Sequence, residues 1–99
     1  MLIFKQLNKK GYKHYYEGTI EELDSMDKDN PHLHSEIMQV IMWLYEKYGV
    51  WINVTISQED KWEYFIGDIK TCDILYWGSK FNSLIEAYKT AINKYCLNN

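Results

Sequence analysis

The chain has 99 residues and a formal net charge of -3, and 46% of its residues are apolar. That length suits a single domain over residues 1–99, because two independent cores would leave each below roughly 50 residues. The apolar content excludes a disordered chain, and no run reaches the ~18 to 20 apolar residues of a membrane span. The first residues lack the pattern of a secretion signal, and two cysteines are too few for a disulfide scaffold. We therefore expect a protein of the reducing cytoplasm with no membrane partner.

All 11 basic residues are lysines. Lysine lacks the planar fork with which arginine makes bidentate contacts to phosphate, to carboxylate and to guanine. The negative net charge adds repulsion between the chain and a phosphate backbone. Direct binding to nucleic acid is therefore disfavoured.

Two short helical segments are predicted at the start of the chain. The first covers residues 2–10, where Gly11 is placed to end it. The second is a single turn over residues 20–26, opened by Thr19 and Glu22 in the spacing of a capping box.

The clearest helix is predicted over residues 31–48. Asn30 is placed to cap it, Pro31 suits its first turn, and Gly49 supplies its end. Apolar residues recur at spacings of three and four and form one stripe: Leu33, Ile37, Val40, Ile41, Leu44 and Tyr48. Three further apolar residues widen this stripe and predict that more than one side of the helix is covered: Met38, Met42 and Tyr45.

Three strands and a final helix follow. Alternating apolar residues predict strands over residues 50–56, 61–69 and 72–77. Ser83 and Glu86 form a second capping box, from which a helix extends to about residue 97. The predicted fold is α+β, in the order α-α-β-β-β-α, with the helices packed on one face of a three-stranded antiparallel sheet.

The residues that commonly carry chemistry do not form a site. His32 and His34 lie two apart on a helix and point about 200° away from each other, so they do not face one ion. Cys72 and Cys96 are outside any Cys-x-x-Cys unit and are expected to be buried structural thiols. The five glycines are isolated, so no loop suits a phosphate. We expect no catalytic residue, no metal and no cofactor, and hence no enzyme.

The strand alternation is more informative about binding. If the even-numbered residues of the first strand face the helices, four apolar side chains lie on the opposite sheet face: Trp51, Phe65, Leu75 and Trp77. Exposed aromatic side chains of this kind mark a surface for a partner. The alternative is that the N-terminal segment or residues 12–16 fold over this face, and the sequence leaves both interpretations open.

Residues 17–29 contain six acidic residues and one lysine. One interpretation is that this run mimics nucleic-acid phosphate and occupies a basic channel on a partner. Four of its acids would then steer the protein to that channel: Glu21, Glu22, Asp24 and Asp27. The other is that the acidic run is a solvated connection.

Two segments resemble a known group of proteins. One is residues 37–54, with Trp43-Leu44 followed by Tyr48-Gly49-Val50-Trp51-Ile52. The other is Phe81-Asn-Ser-Leu-Ile-Glu-Ala-Tyr88 followed by Ala91-Ile-Asn-Lys-Tyr-Cys-Leu97. Together they resemble small proteins of Bacteroidetes phages, prophages and mobile elements, which pair a Trp-Leu helix and strand with a final helix of this type.

The resemblance implies an accessory protein in the cytoplasm of a bacterial host. Small accessory proteins of this origin often bind a larger host protein and block a defence nuclease or nucleoprotein, including CRISPR effectors. By that analogy we expect a non-enzymatic inhibitor that binds its target directly, with no catalytic residue to carry over.

Two other functions stay open. The segment from Pro31 has the α-β-β-β-α order of double-stranded-RNA-binding domains, and Gly78-Ser79-Lys80 precedes the last helix. Those domains need several lysines at that helix start, where this chain has only Lys80. The third possibility is a self-associating structural protein that forms a homodimer through the outer sheet face.

Overall fold

The computed structural model describes residues 2–98 as four helices and three strands. In chain order these are α1 (Ile3–Lys9), α2 (Ile20–Asp24), α3 (Pro31–Tyr48), β1 (Val50–Ile56), β2 (Trp62–Asp68), β3 (Ile74–Phe81) and α4 (Leu84–Asn98). The α+β class and the order α-α-β-β-β-α predicted from the sequence are confirmed. No helix within residues 2–98 is long and apolar enough to cross a membrane.

Local side-chain chemistry sets the ends of α3. The Asn30 side chain accepts the N–H of His32 at 2.9 Å, and Pro31 occupies the first turn. Gly49 ends the helix at φ 67°, where its N–H donates to the carbonyl of Tyr45 at 3.1 Å. A single residue therefore separates the longest helix from β1.

The sheet has the order β1-β2-β3, and both pairings are antiparallel. The β1–β2 ladder is regular from Val50 opposite Asp68 to Ile56 opposite Trp62. The β2–β3 ladder shifts register twice, once between Trp62 and Tyr64 and once at Gly67. Both shifts are β-bulges, because β3 uses one extra residue at each of them.

The prediction for the third strand was wrong by two residues at its start and four at its end. The Asp68 carboxylate accepts the N–H groups of Lys70 and Thr71, at 2.8 and 3.1 Å, and the two bonds hold the pKa of Asp68 below its ordinary value. Cys72 follows with φ 63°. Alternation alone assigned residues 72 and 73 to the strand, but they belong to the end of this turn. The strand β3 therefore begins only at Ile74.

The two cysteines therefore differ. Cys96 is buried on α4, and burial raises the pKa of its thiol. Cys72 is exposed in the turn, so the expectation that both thiols are buried was wrong for Cys72.

Thiol labelling checks this arrangement. In the native protein we expect a disulfide reagent to label Cys72 at least about tenfold faster than Cys96, because thiolate reactivity follows pKa and access. In denaturant both should react at similar rates. The Cys72→Ser variant supplies the control, and rapid native labelling of that variant would contradict the burial of Cys96.

The core lies between the sheet and the helices. α4 contacts all three strands, α3 contacts β1 and α4, and α1 packs against α2 and α4. The largest side chains in this core are almost fully buried: Ile3, Phe4, Leu7, Leu23, Leu33, Ile37, Leu44, Ile66 and Ile92. All helices are thus joined, directly or through α4, to one face of the sheet.

The coverage of α3 differs from the prediction. Met38, Met42 and Tyr45 are 43%, 57% and 51% exposed, so the side that widened the apolar stripe is not covered. A second side of α3 is covered, but it is the flank that carries Glu36 and Trp43. Residues 12–16 cover this flank.

Burial raises the pKa of several tyrosines. Burial is the largest cause that raises the pKa of Tyr12 far above the ordinary value of 10.0, and it raises those of Tyr64, Tyr88 and Tyr95. For Tyr12, the hydrogen bond that its hydroxyl donates to Glu36 adds to the effect.

These tyrosines predict a loss of stability at high pH. Each stays protonated in the folded state while the unfolded chain releases its proton, so stability is complete below the ordinary pKa and falls as pH rises above it. We expect a lower free energy of unfolding at about pH 11 than at about pH 8, measured by urea titration. Tyr12→Phe removes one such group and should lose less stability over that interval. An equal loss in the variant would contradict the assignment to Tyr12.

Candidate functional site

The sheet face turned away from the helices, here the outer sheet face, carries the aromatic residues singled out from the sequence. Residues directly opposite each other in an antiparallel ladder share a face. Phe65 lies opposite Trp77, and Trp51 lies opposite Gly67. Because Val50 and Ile52 are buried toward the helices, Trp51 between them points to the outer sheet face.

The position of the Trp51 ring depends on Gly67. A Cβ atom at residue 67 would lie 2.4 Å from the Cε2 and Cζ2 atoms of Trp51, far inside van der Waals contact. The indole therefore lies across the glycine backbone and is half-buried there. The absence of a side chain at residue 67 lets Trp51 pack flat on the neighbouring strand.

The bulge opposite Gly67 changes which β3 residues belong to this surface. The sequence alternation placed Ile74 inward, but the extra residue sets Ile74 opposite Gly67, and its side chain is 52% exposed. Leu75, the next residue, is 43% exposed, and Trp77 is 57% exposed. We call the resulting surface the outer apolar patch, and define it by these residues: Trp51, Phe65, Ile74, Leu75 and Trp77.

The two segments that were candidates to cover this face lie elsewhere, and the first of them, α1, packs against α2 and α4. The ring of Tyr12 packs edge-on against Trp43 of α3, with centroids 5.3 Å apart. The backbone N–H groups of Tyr15 and Tyr16 donate to the carboxylate of Glu36, also on α3. Residues 12–16 therefore cover a flank of α3 and do not lie over the outer apolar patch.

A hollow of about 450 Å³ adjoins Trp77 at the β1–β2 hairpin end of the sheet. The residues that line it include two acids, Glu59 and Glu63, and one base, Lys80. Thr55, opposite Glu63 in the ladder, has its hydroxyl 3.4 Å from the Glu63 carboxylate. An indole next to two carboxylates suits a cationic side chain, which gains from both the ring face and the negative charge.

The four acids singled out from the sequence lie apart from this patch. Glu21, Glu22 and Asp24 belong to α2, which packs against α1 on the helical side, and Asp27 follows α2. The structure therefore brings Trp51, Phe65, Leu75 and Trp77 together and does not bring the acids to them. One binding surface does not contain both groups.

Two of these acids hold local structure. The Asp24 carboxylate accepts the N–H of Phe4 at 2.9 Å and of Lys5 at 3.2 Å, at the start of α1. The Glu22 carboxylate completes the capping box with Thr19 and accepts the hydroxyl of Tyr16, and these bonds hold the pKa of Glu22 below its ordinary value. Of the four acids, Glu21 and Asp27 are exposed, and their carboxylates are not used in the bonds described above.

Glu36 is a residue that the sequence interpretation missed. Its side chain is only 3% exposed, and its carboxylate accepts the hydroxyl of Tyr12. It also accepts the N–H of Tyr16 at 2.8 Å and that of Tyr15 at 3.0 Å. Its burial could have been suspected from its position three residues after Leu33, next to the apolar stripe of α3. These three hydrogen bonds attach residues 12–16 to α3.

The histidines serve local contacts. His34 places Nε2 2.7 Å from the carbonyl oxygen of Lys28, and the ring of His32 lies 5.4 Å from that of Tyr16. Across residues 2–98, no group of three or more His, Cys, Asp and Glu is placed to hold a metal ion.

Lys80 does not sit at the start of α4. It lies within β3 at φ 69°, at the first register shift, and it lines the hollow beside Glu59 and Glu63. The first turn of α4 contains Glu86, whose N–H is capped by the Ser83 hydroxyl at 3.1 Å. The α3-β1-β2-β3-α4 order matches that of double-stranded-RNA-binding domains, while the lysine cluster that grips phosphate is missing from this helix start.

Comparison of the chain with protein-family models, with curated proteins and with solved structures finds no match.

Proposed function

We propose that this protein is a non-enzymatic binding protein that uses the outer apolar patch to hold a larger protein. The single observation behind the proposal is that three large aromatic side chains, Trp51, Phe65 and Trp77, share one sheet face away from the core. Trp77 keeps 57% of its surface exposed. Aromatic anchors of this kind dominate binding energy at protein interfaces, because burying them removes a large apolar area from water.

The residues around the hollow beside Trp77 indicate which chemical groups a partner should carry. Glu59 and Glu63 set a negative potential at one end of the patch, with Lys80 as the neighbouring cation. A partner with an exposed lysine or arginine next to an apolar surface fits this arrangement. The net charge of -3, which includes the acids of α2, speeds the approach to a basic partner at low salt without touching it.

A basic protein surface of this kind occurs on nucleic-acid-handling proteins. This agrees with the resemblance to proteins of Bacteroidetes phages and mobile elements, and we propose a host defence effector such as a CRISPR nuclease as the target. The site of action would be the cytoplasm of the bacterial host.

Affinity capture tests the proposal. Tagged wild-type protein is used as bait in a host lysate, with and without nuclease treatment, next to a Trp77→Ala bait and a Tyr15→Ala control bait. Tyr15 is 72% exposed and lies on the helical side, so its substitution removes an aromatic ring outside the patch.

We expect one large protein in both nuclease conditions with the wild-type and Tyr15→Ala baits, and its loss with Trp77→Ala. Recovery that disappears on nuclease treatment would contradict the proposal and favour binding to RNA. In that case duplex RNA should shift the protein in a gel at low salt, and Lys80→Glu should abolish the shift.

A further inference from the structure

The hollow beside Trp77 lies where the first register shift interrupts the β2–β3 ladder. Two residues of β3, Ser79 and Lys80, stand opposite the single residue Glu63, and Lys80 has φ 69°. Glu63 precedes Phe65 by two positions in β2, so both side chains lie on the outer sheet face. The bulge therefore places a recess next to Glu63, on the same face as the outer apolar patch.

The size of the hollow limits what it holds. Its volume of about 450 Å³ lies near the lower end of the roughly 300 to 1,000 Å³ of small-molecule clefts. A helix with its side chains is about 10 to 12 Å wide, which is too large for this space. The hollow suits one long side chain of a partner.

The lining favours a positively charged side chain. Glu59 and Glu63 carry two negative charges against the one positive charge of Lys80, so one negative charge is in excess. Trp77 forms another part of the lining and keeps 57% of its surface exposed. A cation over the face of an indole is attracted by the ring, and the excess charge adds to this attraction.

We infer that the side chain which fills the hollow is an arginine of the partner protein. A guanidinium group is planar, so it stacks on the indole of Trp77 while its five N–H groups donate within its own plane. Three further residues of the lining carry oxygen acceptors beside the two acids: Ser57, Gln58 and Ser79. The ammonium of lysine has three donors, does not stack and is more strongly hydrated, so it gains less from the same lining.

The composition of the chain shows that the arginine belongs to another protein. The 99 residues contain 11 lysines and no arginine, so a second copy of the chain has no guanidinium to place in the hollow. Trp77 belongs both to the hollow and to the outer apolar patch. The inference rests on the proposed function, because it names the group that the partner places next to its apolar contact with this patch.

Blocked amino acids test the hollow without the partner. N-acetyl-arginine methylamide and N-acetyl-lysine methylamide are titrated into ¹⁵N-labelled protein to about 50 mM at constant ionic strength. The arginine compound should shift the indole N–H of Trp77, assigned by its loss in Trp77→Phe, and the amide of Glu63. Its affinity should exceed that of the lysine compound at least about fivefold.

Two variants show whether the acid in the hollow carries this preference. Glu63→Gln should weaken binding of the arginine compound at least about threefold, because the charge is lost while the volume is kept. Glu46→Gln, at an exposed position of α3, is the matched control and should bind like the wild type. Equal affinity for the two compounds would overturn the choice of arginine, and no shift of Trp77 with either compound would overturn the site.

Arginine footprinting tests the inference in the complex. Phenylglyoxal modifies arginine side chains, and because this chain has none, the modified arginines belong to the purified partner. At least one arginine of the partner should react about tenfold or more slowly in the complex with the wild-type protein, as read by mass spectrometry. With Glu63→Gln at a concentration that restores the complex, the protection of that arginine should decrease. Protection confined to lysines, measured with an acetylating reagent, would overturn the inference.

The inference and the proposed function fail in different ways. If Trp77→Ala loses the partner while none of its arginines is protected in the wild-type complex, the patch holds the partner and the inference is wrong. If the arginine compound binds at Trp77 while no captured protein depends on Trp77, the proposed function is wrong although the hollow binds the guanidinium group.

Discussion

Replacing Glu36 by alanine is expected to destabilise the protein by about 3 to 4 kcal/mol. The carboxylate accepts three hydrogen bonds in a buried position, and its removal leaves the hydroxyl of Tyr12 and the N–H groups of Tyr15 and Tyr16 without their acceptor. Bonds to a charged group contribute more than neutral ones, and each donor left buried adds a desolvation cost. The loss is a large share of the ~5 to 15 kcal/mol by which domains of this size are stable.

Urea unfolding measures this loss, with Glu46→Ala as the matched control. Glu46 lies on the same helix but is exposed, so its substitution should change stability by no more than about 0.5 kcal/mol. Glu36→Gln keeps the volume and part of the accepting capacity and should fall between the two. Amide exchange at Tyr15 and Tyr16 should accelerate in Glu36→Ala. Equal stability of the Glu36→Ala and Glu46→Ala variants would show that the attachment of residues 12–16 to α3 contributes nothing.

Replacing Trp77 by alanine is expected to weaken binding of the captured partner about 100-fold or more, the range seen for aromatic anchors at interface centres. Stability should change by less than about 1 kcal/mol, because more than half of the Trp77 side chain is already in water. Isothermal titration calorimetry of the purified partner gives the binding change, and urea unfolding gives the stability.

The matched control is Tyr15→Ala, which removes a more exposed aromatic ring on the helical side and should leave affinity within about twofold. Glu63→Gln serves a second purpose. If the hollow beside Trp77 accepts a cationic side chain, this variant should weaken binding and reduce its dependence on salt. Unchanged affinity in Trp77→Ala would remove the outer apolar patch from the proposed function.

The elements whose signals are local were predictable. The alternation of β1 and the caps of α3 at Asn30 and Gly49 depend on side chains within a few residues of one another, and the structure reproduces them. The same holds for the capping box of Thr19 and Glu22. Such features follow from backbone geometry and nearest-neighbour hydrogen bonds, which the order of residues specifies directly.

The covered flank of α3 was not predictable in this way. Periodicity identified Met38, Met42 and Tyr45 as apolar and gave no reason to leave them in water. The flank with Glu36 and Trp43 is covered because residues 12–16, some 20 positions earlier in the chain, return to α3 and bring hydrogen-bond donors for a carboxylate. From the sequence alone a glutamate is predicted to be exposed, because burying its charge is unfavourable unless hydrogen-bond donors from elsewhere in the chain reach it.

The candidate site shows the same division. By itself, the sequence determined the order of the helices and strands and the placement of Trp51, Phe65 and Trp77 on one sheet face, because these depend on periodicity and alternation along single segments. Only the tertiary structure decided that Gly67 gives the Trp51 ring its place, that a bulge adds Ile74 to the patch, and that the acids of α2 lie away from it. These outcomes depend on which strand and which helix become neighbours, and that choice is made by burial of the whole core at once.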